Sequence, residues 1–231
     1  MSNVEQPLAA EKTVVENGSK QTAHETVYKT LRAQILFGEL APGQAVTIQG
    51  LTGSLGAGMT PVREAIRRLI SDGALIFQGN RRVSVPILSA DDVRQLIYAR
   101  KTIETELTRR ATTRINAADI DTLERIDSAL DHAIDTGDVT GYLHHNYQFH
   151  STIYDHAQAP ILADLADRLW LRFGPSLRVM CGRFGTQSFP DRHKDVIDAL
   201  RKRDPELAAL AMERDVTQGM DQVVTGLEEG N

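Results

Sequence analysis

The chain contains 231 residues, of which 41% are hydrophobic and 25% are charged, so it can form two modest globular domains or one large one. Its formal net charge of −5 is unevenly distributed. Residues 20–90 hold 8 Lys and Arg against 4 Asp and Glu, a balance of +4, whereas residues 91–231 hold 17 against 24, a balance of −7. This split indicates a basic N-terminal part that meets phosphate and an acidic remainder that does not.

The composition also excludes several classes of protein. Cys181 is the single cysteine, which rules out an internal disulfide and a thiolate zinc site, and we expect it to be a small, unreactive filler. No stretch approaches the roughly 20 apolar residues of a membrane span, and the N-terminus carries acidic residues, so we predict a cytoplasmic protein without membrane partners. Residues 1–20 and 226–231 are polar and are expected to form a disordered arm and a flexible tail.

A helix with two different faces is predicted to begin near residue 60. Thr60 is a suitable N-cap, Pro61 suits the first helical position, and Gly73 is expected to end the helix about three turns later. One face can pack and the other can meet an acidic partner, although exposed arginines are often only solvated, and Glu64 and Arg68 are spaced as an ordinary i,i+4 ion pair. The apolar face comprises Val62, Ala65, Ile66, Leu69 and Ile70, and the polar face comprises Thr60, Arg63, Glu64 and Arg67.

The segments on either side of this helix complete a winged helix-turn-helix. Upstream, Thr47 can cap a short helix that runs through Ser54, and the glycine-rich turn at residues 56–58 can set two helices at a steep angle. Downstream, two short strands flank Gly79-Asn80, a pair suited to a tight hairpin turn. We therefore expect residues 21–88 to form a DNA-binding domain whose second helix enters the major groove.

Several segments of this domain carry a family resemblance. They are MTPVREAIRRL at residues 59–69, the DGAL and Asn-Arg-Arg hairpin that follow it, and LFGELAPGQAV at residues 36–46. These segments resemble the GntR family of bacterial transcription regulators, which implies specific binding to double-stranded DNA. Members of that family usually have a base-reading Arg where this chain has Met59, which leaves Arg63 as the base reader and Met59 as an apolar contact. The full set of expected DNA contacts is Met59, Thr60, Arg63 and Arg67 on the helix and Asn80, Arg81 and Arg82 on the hairpin.

From Ser89 onward the strand signals disappear and six helical patterns follow one another. We expect residues 89–225 to form an antiparallel six-helix bundle, so that the protein as a whole is mainly α with a small β-hairpin wing. The predicted helices span about residues 89–114, 116–136, 139–156, a fourth from 160, 190–203 and 204–225.

Two spacings in the bundle suggest a metal site. Asn146 and His150 are four residues apart and share one helix face. His193 and Asp215 each lie 11 residues from Asp204 at the turn of a helix hairpin, which brings their side chains level. Two imidazoles and a carboxylate, with an amide oxygen as a weaker fourth ligand, suit zinc, nickel, iron or manganese. The alternative is a set of hydrogen-bonded core histidines without a metal.

The bundle sequence also resembles the FCD-type ligand-binding domain of the FadR branch, in its VanR-like subgroup. The matching segments are Tyr98-Ala99-Arg100 with Glu104, Phe149-His150, and His193 with the DALRKRDPELAALAMERD that follows it. That family usually places Asp, His, His and His where this chain has Asn146, His150, His193 and Asp215, so two ligands change while their total charge is nearly preserved. The resemblance implies a small organic acid that completes the metal shell and pairs with Arg100. The alternative role for Arg100 is an i,i+4 ion pair with Glu104.

We therefore expect a transcription regulator, acting as a repressor and a homodimer on a palindromic operator, and controlled by an organic acid. A metal-dependent enzyme is the competing class, but the sequence offers no separate general base, nucleophile or glycine-rich cofactor loop. A third alternative is a regulator whose bundle only dimerises. The side chains expected to be bystanders or plain surface charges are His144, His145, His156, Arg172 and Arg178.

Overall fold

The computed structural model describes residues 23–79, 82–189 and 191–228. The N-terminal part is a winged helix-turn-helix in which a three-stranded antiparallel sheet, ordered β1-β3-β2, adjoins three helices. Its elements are α1 (Ala23–Leu36), β1 (Ala45–Val46), α2 (Ile48–Leu55), α3 (Met59–Ser71), β2 (Ile76–Gln78) and β3 (Arg82–Ser84).

The two hairpin strands pair, but the expected two-residue turn was short by one, because Gln78 lies opposite Arg82 and three residues separate them; Phe77 lies opposite Val83. The third strand, β1, was not predicted, because two residues are too few to show an alternating pattern. Ala45 of β1 lies opposite Ser84, so the link between the first two helices also anchors the wing. The tip residues Asn80 and Arg81 lie outside the described residues.

The predicted start of the reading helix α3 was wrong by about two residues. Gly58 is the N-cap, without a side-chain hydrogen bond, and Met59 is the first helical residue, so Thr60 does not cap and Pro61 is third. The physical reason is that the first four N–H groups of a helix lack an intrahelical acceptor, so proline is tolerated throughout the first turn. The predicted end was right: Gly73, with φ +75, closes a Schellman motif in which Ala74 N donates to the carbonyl of Leu69 at 2.9 Å.

The C-terminal part is the expected antiparallel bundle of six helices. Their starts follow the predicted capping residues closely, since Ser89 and Asn116 each form a capping box. The fifth helix begins three residues later than predicted, and the sixth continues past residue 225. The helices are α4 (Ala90–Thr112), α5 (Ala117–Thr136), α6 (Val139–His156), α7 (Pro160–Phe184), α8 (His193–Arg201) and α9 (Pro205–Glu228), with a short 3-10 turn at Thr186–Ser188.

The two parts are in direct contact through α1 and α7. Gly174 of α7 lies so close to α1 that an added Cβ would stand 1.9 Å from the carbonyl oxygen of Leu36. Within the bundle, α4 packs along α9, and α5 packs against α6. Across the described residues, no helix is long and apolar enough to cross a membrane.

Candidate functional site

Helix α3 presents its polar face to solvent. The apolar residues Val62, Ala65, Ile66 and Leu69 are buried, as the pattern predicted, and Ile70 is partly buried. Met59, Thr60, Arg63 and Arg67 are all exposed, and Arg82 is exposed on the wing. Arg63 has no acidic partner within the described part of the chain, so its guanidinium is available to another molecule.

The ion pairs of α3 differ from the expected one. Glu64 pairs with Arg67 at 2.7 Å and not with Arg68. Arg68 instead lies 3.2 Å from a carboxylate oxygen of Glu25 and 3.6 Å from the ring centroid of Tyr28. The reason is tertiary: α1 crosses α3 and offers Arg68 both a carboxylate and an aromatic face. Arg68 therefore belongs to the contact between helices and not to the exposed basic face.

In the bundle, the structure brings together three of the four residues proposed as metal ligands. One ligand atom from each of His150, His193 and Asp215 lies within 4.8 Å of the other two. His150 Nε2 is 3.2 Å from Oδ2 of Asp215, and His193 Nε2 is 3.9 Å from Oδ1 of the same carboxylate. Asn146 lines the same cavity as His150 and Asp215.

Each of the two histidines has a second carboxylate behind its ring. Oε2 of Glu104 lies 3.0 Å from Nδ1 of His150, and Oδ1 of Asp127 lies 3.4 Å from Nδ1 of His193. The ring of Phe149 stacks on His193 with 3.6 Å between centroids. Carboxylates in this position orient metal-ligating histidines and raise their basicity, so the outer shell has the form of a metal centre.

His193 supplies a direct test of whether these residues fit a metal ion. It is fully buried; its Nδ1 faces the Asp127 carboxylate at 3.4 Å, and its Nε2 has no hydrogen-bond partner within the described residues. Buried polar atoms are normally satisfied, so the unpaired Nε2 beside the Asp215 carboxylate calls for a missing partner. A cation between Nε2 of His193, His150 and Asp215 supplies that partner, and the donor set suits a divalent transition metal.

Burial and charge shift the pKa values at this centre. Burial by itself raises the pKa of Asp215, but His193 and His150 outweigh it and hold that pKa well below its usual range. Burial lowers the pKa of His150, while hydrogen bonds to Asp215 and Glu104 raise it, and the net change is upward. The Asp215 carboxylate is therefore ionised.

Arg100 is buried at the edge of the same cavity, where it forms the ion pair that the sequence offered as its alternative role. Its Nε donates to Oε1 of Glu104 at 2.5 Å, and its guanidinium lies 3.9 Å from the ring centroid of Trp170. Among the described residues, Nη1 donates only to the sulfur of Met220, at 3.4 Å, and sulfur is a weak acceptor. One donor of Arg100 is therefore available to a stronger acceptor.

The cavity itself is small. It has a volume of about 20 Å³, which is room for roughly one water molecule or one metal ion. A multi-atom ligand can enter only if some of its lining side chains move. That lining comprises Arg100, Tyr142, Asn146, His150, Trp170, Phe173, Leu177, Asp191, Asp215, Val216, Gly219 and Met220.

A polar chain connects this cavity to the N-terminal domain. Tyr147 follows Asn146 on α6, and its hydroxyl donates to Asp167 of α7, which also pairs with Arg32 of α1. Tyr147 also packs edge-on against Trp170, with 5.7 Å between centroids. Trp170 at the cavity is thus three contacts away from Arg32 in the first helix of the winged domain.

Two residues that were predicted to be uninvolved take part in the contact between domains. His144 stacks on Phe37 with 3.5 Å between centroids, and Nε of Arg172 donates to the carbonyl oxygen of Asp72 at 3.4 Å. Sequence patterns could not reveal either contact, because each depends on how one domain lies on the other. Of the remaining expected bystanders, His156 pairs only with Asp119, at 3.6 Å.

Cys181 has the environment that its isolation in the sequence suggested. It is buried, and burial raises the pKa of its thiol to about 12. Because the thiolate is the reactive form, this side chain is a packing residue.

A winged helix-turn-helix with an exposed basic helix, joined to a helical bundle with a buried polar centre, defines a class of two-domain DNA-binding proteins. Comparison with known families agrees in both parts. Residues 23–85 match the gntR family of bacterial regulatory proteins, and residues 95–218 match the FCD domain. The chain therefore belongs to the GntR family of regulators with an FCD domain, and it is a DNA-binding transcriptional regulator.

Individual relatives give the same result. The chain is 29% identical over 154 residues to the HTH-type transcriptional regulator McbR of Escherichia coli K12, covering 67% of this chain and 70% of McbR. It is 26% identical over 207 residues to the HTH-type transcriptional repressor RspR of the same organism, covering 88% of each. These families and relatives are regulators and not enzymes.

Two solved structures share the fold. E. coli McbR/YncC superposes with a TM-score of 0.82 at 24% identity, covering 91% of this chain and 99% of that one. A GntR transcriptional regulator from Rhodococcus sp. RHA1 gives 0.71 at 22% identity, covering 87% and 97%. At these identities the likeness establishes the fold alone.

Proposed function

We propose that this regulator represses transcription from a palindromic operator as a homodimer, and that a small organic acid bound at a metal centre in the bundle controls its affinity for DNA. The observation that carries this proposal is the convergence of His150, His193 and Asp215, of which His150 and Asp215 line a small cavity together with Arg100. Repression is supported by the name of the relative RspR.

The metal is a divalent ion, namely zinc, nickel, iron or manganese, held by His150, His193 and Asp215 with Asn146 as a weaker amide ligand. Asp215 supplies the negative charge that the family usually has at the position of Asn146. Glu104 and Asp127 orient the two imidazoles from behind. Such an ion would supply Lewis-acid binding of a carboxylate oxygen of the acid.

Arg100 is proposed to hold the second polar group of the acid. Its Nη1, which now faces the sulfur of Met220, exchanges a weak acceptor for a carboxylate oxygen. Since the cavity is far smaller than the roughly 300 Å³ of a typical ligand site, the acid must displace neighbouring side chains. Met220 and Trp170 flank Arg100 and are the side chains expected to move.

Movement at Trp170 and Tyr147 is proposed to reach the DNA-binding domain through Asp167 and Arg32. These residues join α6, α7 and α1 in one chain of contacts. A ligand shifts an equilibrium only through differential contacts, and the required side-chain displacement supplies that difference.

On DNA, the exposed face of α3 is proposed to lie in the major groove, with Arg63 reading a base and Arg67 and Thr60 contacting phosphate or groove edge. Met59 gives an apolar contact. The wing, with Arg82 and the residues Asn80 and Arg81 outside the described part, is proposed to meet the adjoining minor groove or backbone.

Elemental analysis combined with thermal-shift measurements tests the metal centre. We expect about one divalent ion per chain in the purified protein and its loss in His193→Ala, whereas His156→Ala, which alters a histidine outside the cavity, keeps the ion. A panel of dicarboxylates, sugar acids and aromatic acids should contain at least one that raises the melting temperature of the metal-loaded protein. If the purified protein contains no metal and no acid raises its melting temperature, the bundle serves dimerisation alone.

A further inference from the structure

A second cavity lies in the winged domain, between α3 and the sheet. Its volume is about 660 Å³, and its wall on the α3 side alternates between arginine and isoleucine. The opposite wall comes from β2 and β3, and the beginning of α2 closes one end. On the α3 side the lining residues are Arg63, Ile66, Arg67 and Ile70, and the strands add Phe77 and Arg82.

Phe77 is the unexplained residue of this cleft. Its side chain is 67% exposed, although its cross-strand partner Val83 is buried. The cleft also holds three exposed arginines, Arg63, Arg67 and Arg82. An exposed aromatic ring among cations forms an apolar surface with a positive rim, which neither the domain core nor the bundle covers.

We propose that Phe77 packs against a deoxyribose ring of the DNA strand that crosses this cleft, between two phosphates held by Arg67 and Arg82. This inference rests on the proposed placement of α3 in the major groove. With α3 in one groove and the wing in the next, the intervening strand must pass between them, where the cleft lies. Along a DNA strand, anionic phosphates alternate with apolar sugar faces. The cleft likewise places positive charges next to an aromatic ring.

Salt dependence separates this contact from a phosphate contact. Binding is measured by fluorescence anisotropy between 50 and 300 mM salt, at about 25 °C, on a duplex selected from a random library by the full-length protein. We expect Phe77→Ser to weaken binding about tenfold at each salt concentration, since it removes an apolar contact and no charge. Arg67→Gln should instead reduce the slope of log affinity against log salt by about 1 for each phosphate that the variant no longer neutralises.

The matched control is Ile87→Ser. Ile87 is 69% exposed, close to the exposure of Phe77, but it does not line the cleft. We expect Ile87→Ser to bind like the wild type, and Phe77→Leu to recover most of the affinity that Phe77→Ser loses. Thermal unfolding of every variant verifies the fold.

Three outcomes would overturn the proposal. Equal affinities of Phe77→Ser and Ile87→Ser would show that the ring is idle, and a changed salt slope in Phe77→Ser would show a disturbed phosphate contact. If replacing thymine with uracil in the duplex weakens binding of the wild type as much as Phe77→Ser does, the ring contacts a thymine methyl and not a sugar. If the wild type selects no duplex at all, the proposed function fails, which is a separate result.

Discussion

At the scale of single residues, Glu104 is the centre of the buried polar network. It is fully buried and contacts both the guanidinium of Arg100 and the imidazole of His150. Burial alone would raise the pKa of this carboxyl, but Arg100 and His150 lower it to about 2. Glu104, which the sequence offered as the alternative partner of Arg100 in place of an organic acid, thus also orients the proposed metal ligand His150.

We predict that Glu104→Gln destabilises the protein by about 3 kcal/mol, because it leaves the Arg100 charge buried without a counter-ion. Urea denaturation of the two proteins measures the difference. Glu106→Gln on the same helix is the control, since Glu106 forms only partly exposed pairs with Arg109 and Arg110 and should cost less than about 1 kcal/mol. Equal losses in the two variants would contradict a special role for Glu104.

The same carboxyl predicts a pH dependence. Its pKa is lowered from 4.5 to about 2 in the folded protein, so it contributes stability above pH 4.5 that is lost as the pH falls toward 2. The difference in unfolding free energy between the wild type and Glu104→Gln should therefore shrink as the pH is lowered through that range. Denaturation curves at several pH values measure it, and a constant difference would refute the assignment.

At the scale of elements, the contact between α1 and α7 depends on one glycine. Gly174 lets the helix approach the carbonyl oxygen of Leu36 at a distance that no side chain allows. Gly182 on the same helix has open space around its Cβ position. The two glycines therefore provide a matched pair for testing how the domains are held together.

We predict that Gly174→Ala separates α1 from α7 and lowers the melting temperature. The link at residues 86–89, between the two domains, should become more sensitive to limited proteolysis. Gly182→Ala should be neutral or stabilising by up to about 1 kcal/mol, because alanine favours a helix. If the two variants behave alike, the close approach at Gly174 does not stabilise the contact between the domains.

Element boundaries also show where sequence rules work and where they stop. Ser89 and Asn116 were predicted as helix starts and form capping boxes, since capping is a local hydrogen-bond pattern. Thr60 was a plausible cap that is not used, because the helix begins earlier, at Met59. Strand β1 escaped prediction because its only support is pairing with a strand about 40 residues away.

At the scale of the whole molecule, the proposed function requires that the bundle and the DNA-binding domain communicate. The charge split, +4 over residues 20–90 and −7 over residues 91–231, keeps the bundle away from phosphate while the basic domain approaches it. If an acid in the bundle weakens operator binding by a given factor, the operator must weaken acid binding by the same factor.

We predict that Asp167→Asn lowers the coupling free energy between acid and operator by roughly 0.5–2 kcal/mol, while the free protein still binds the acid. Asp167 joins Tyr147 of α6 to Arg32 of α1, and removing its charge weakens both links. The control is Asp164→Asn on the same helix, where the carboxylate pairs with Arg168 of its own helix. Calorimetric titration of the acid with and without operator measures the coupling, and an unchanged factor in Asp167→Asn would exclude this route.

Local patterns in the sequence determined the class of the protein. Helix caps, the apolar face of α3, the glycine turn, the hairpin signal and the spacing of His193 and Asp215 about their turn all depend on residues near one another in the chain or on simple helix geometry. These patterns were enough to predict the winged helix-turn-helix and the six-helix bundle, whereas the metal ligands, suggested by spacing and by the family resemblance, stay a prediction.

Only the tertiary structure decided which long-range partners these residues have. The carboxylates behind the two histidines, the contact of Arg68 with α1, the stacking of His144 on Phe37 and the exposure of Phe77 each join segments far apart in the chain. Such contacts follow from how helices pack and how one domain lies on the other. No local periodicity records that packing, because each segment is compatible with many arrangements until the others are in place.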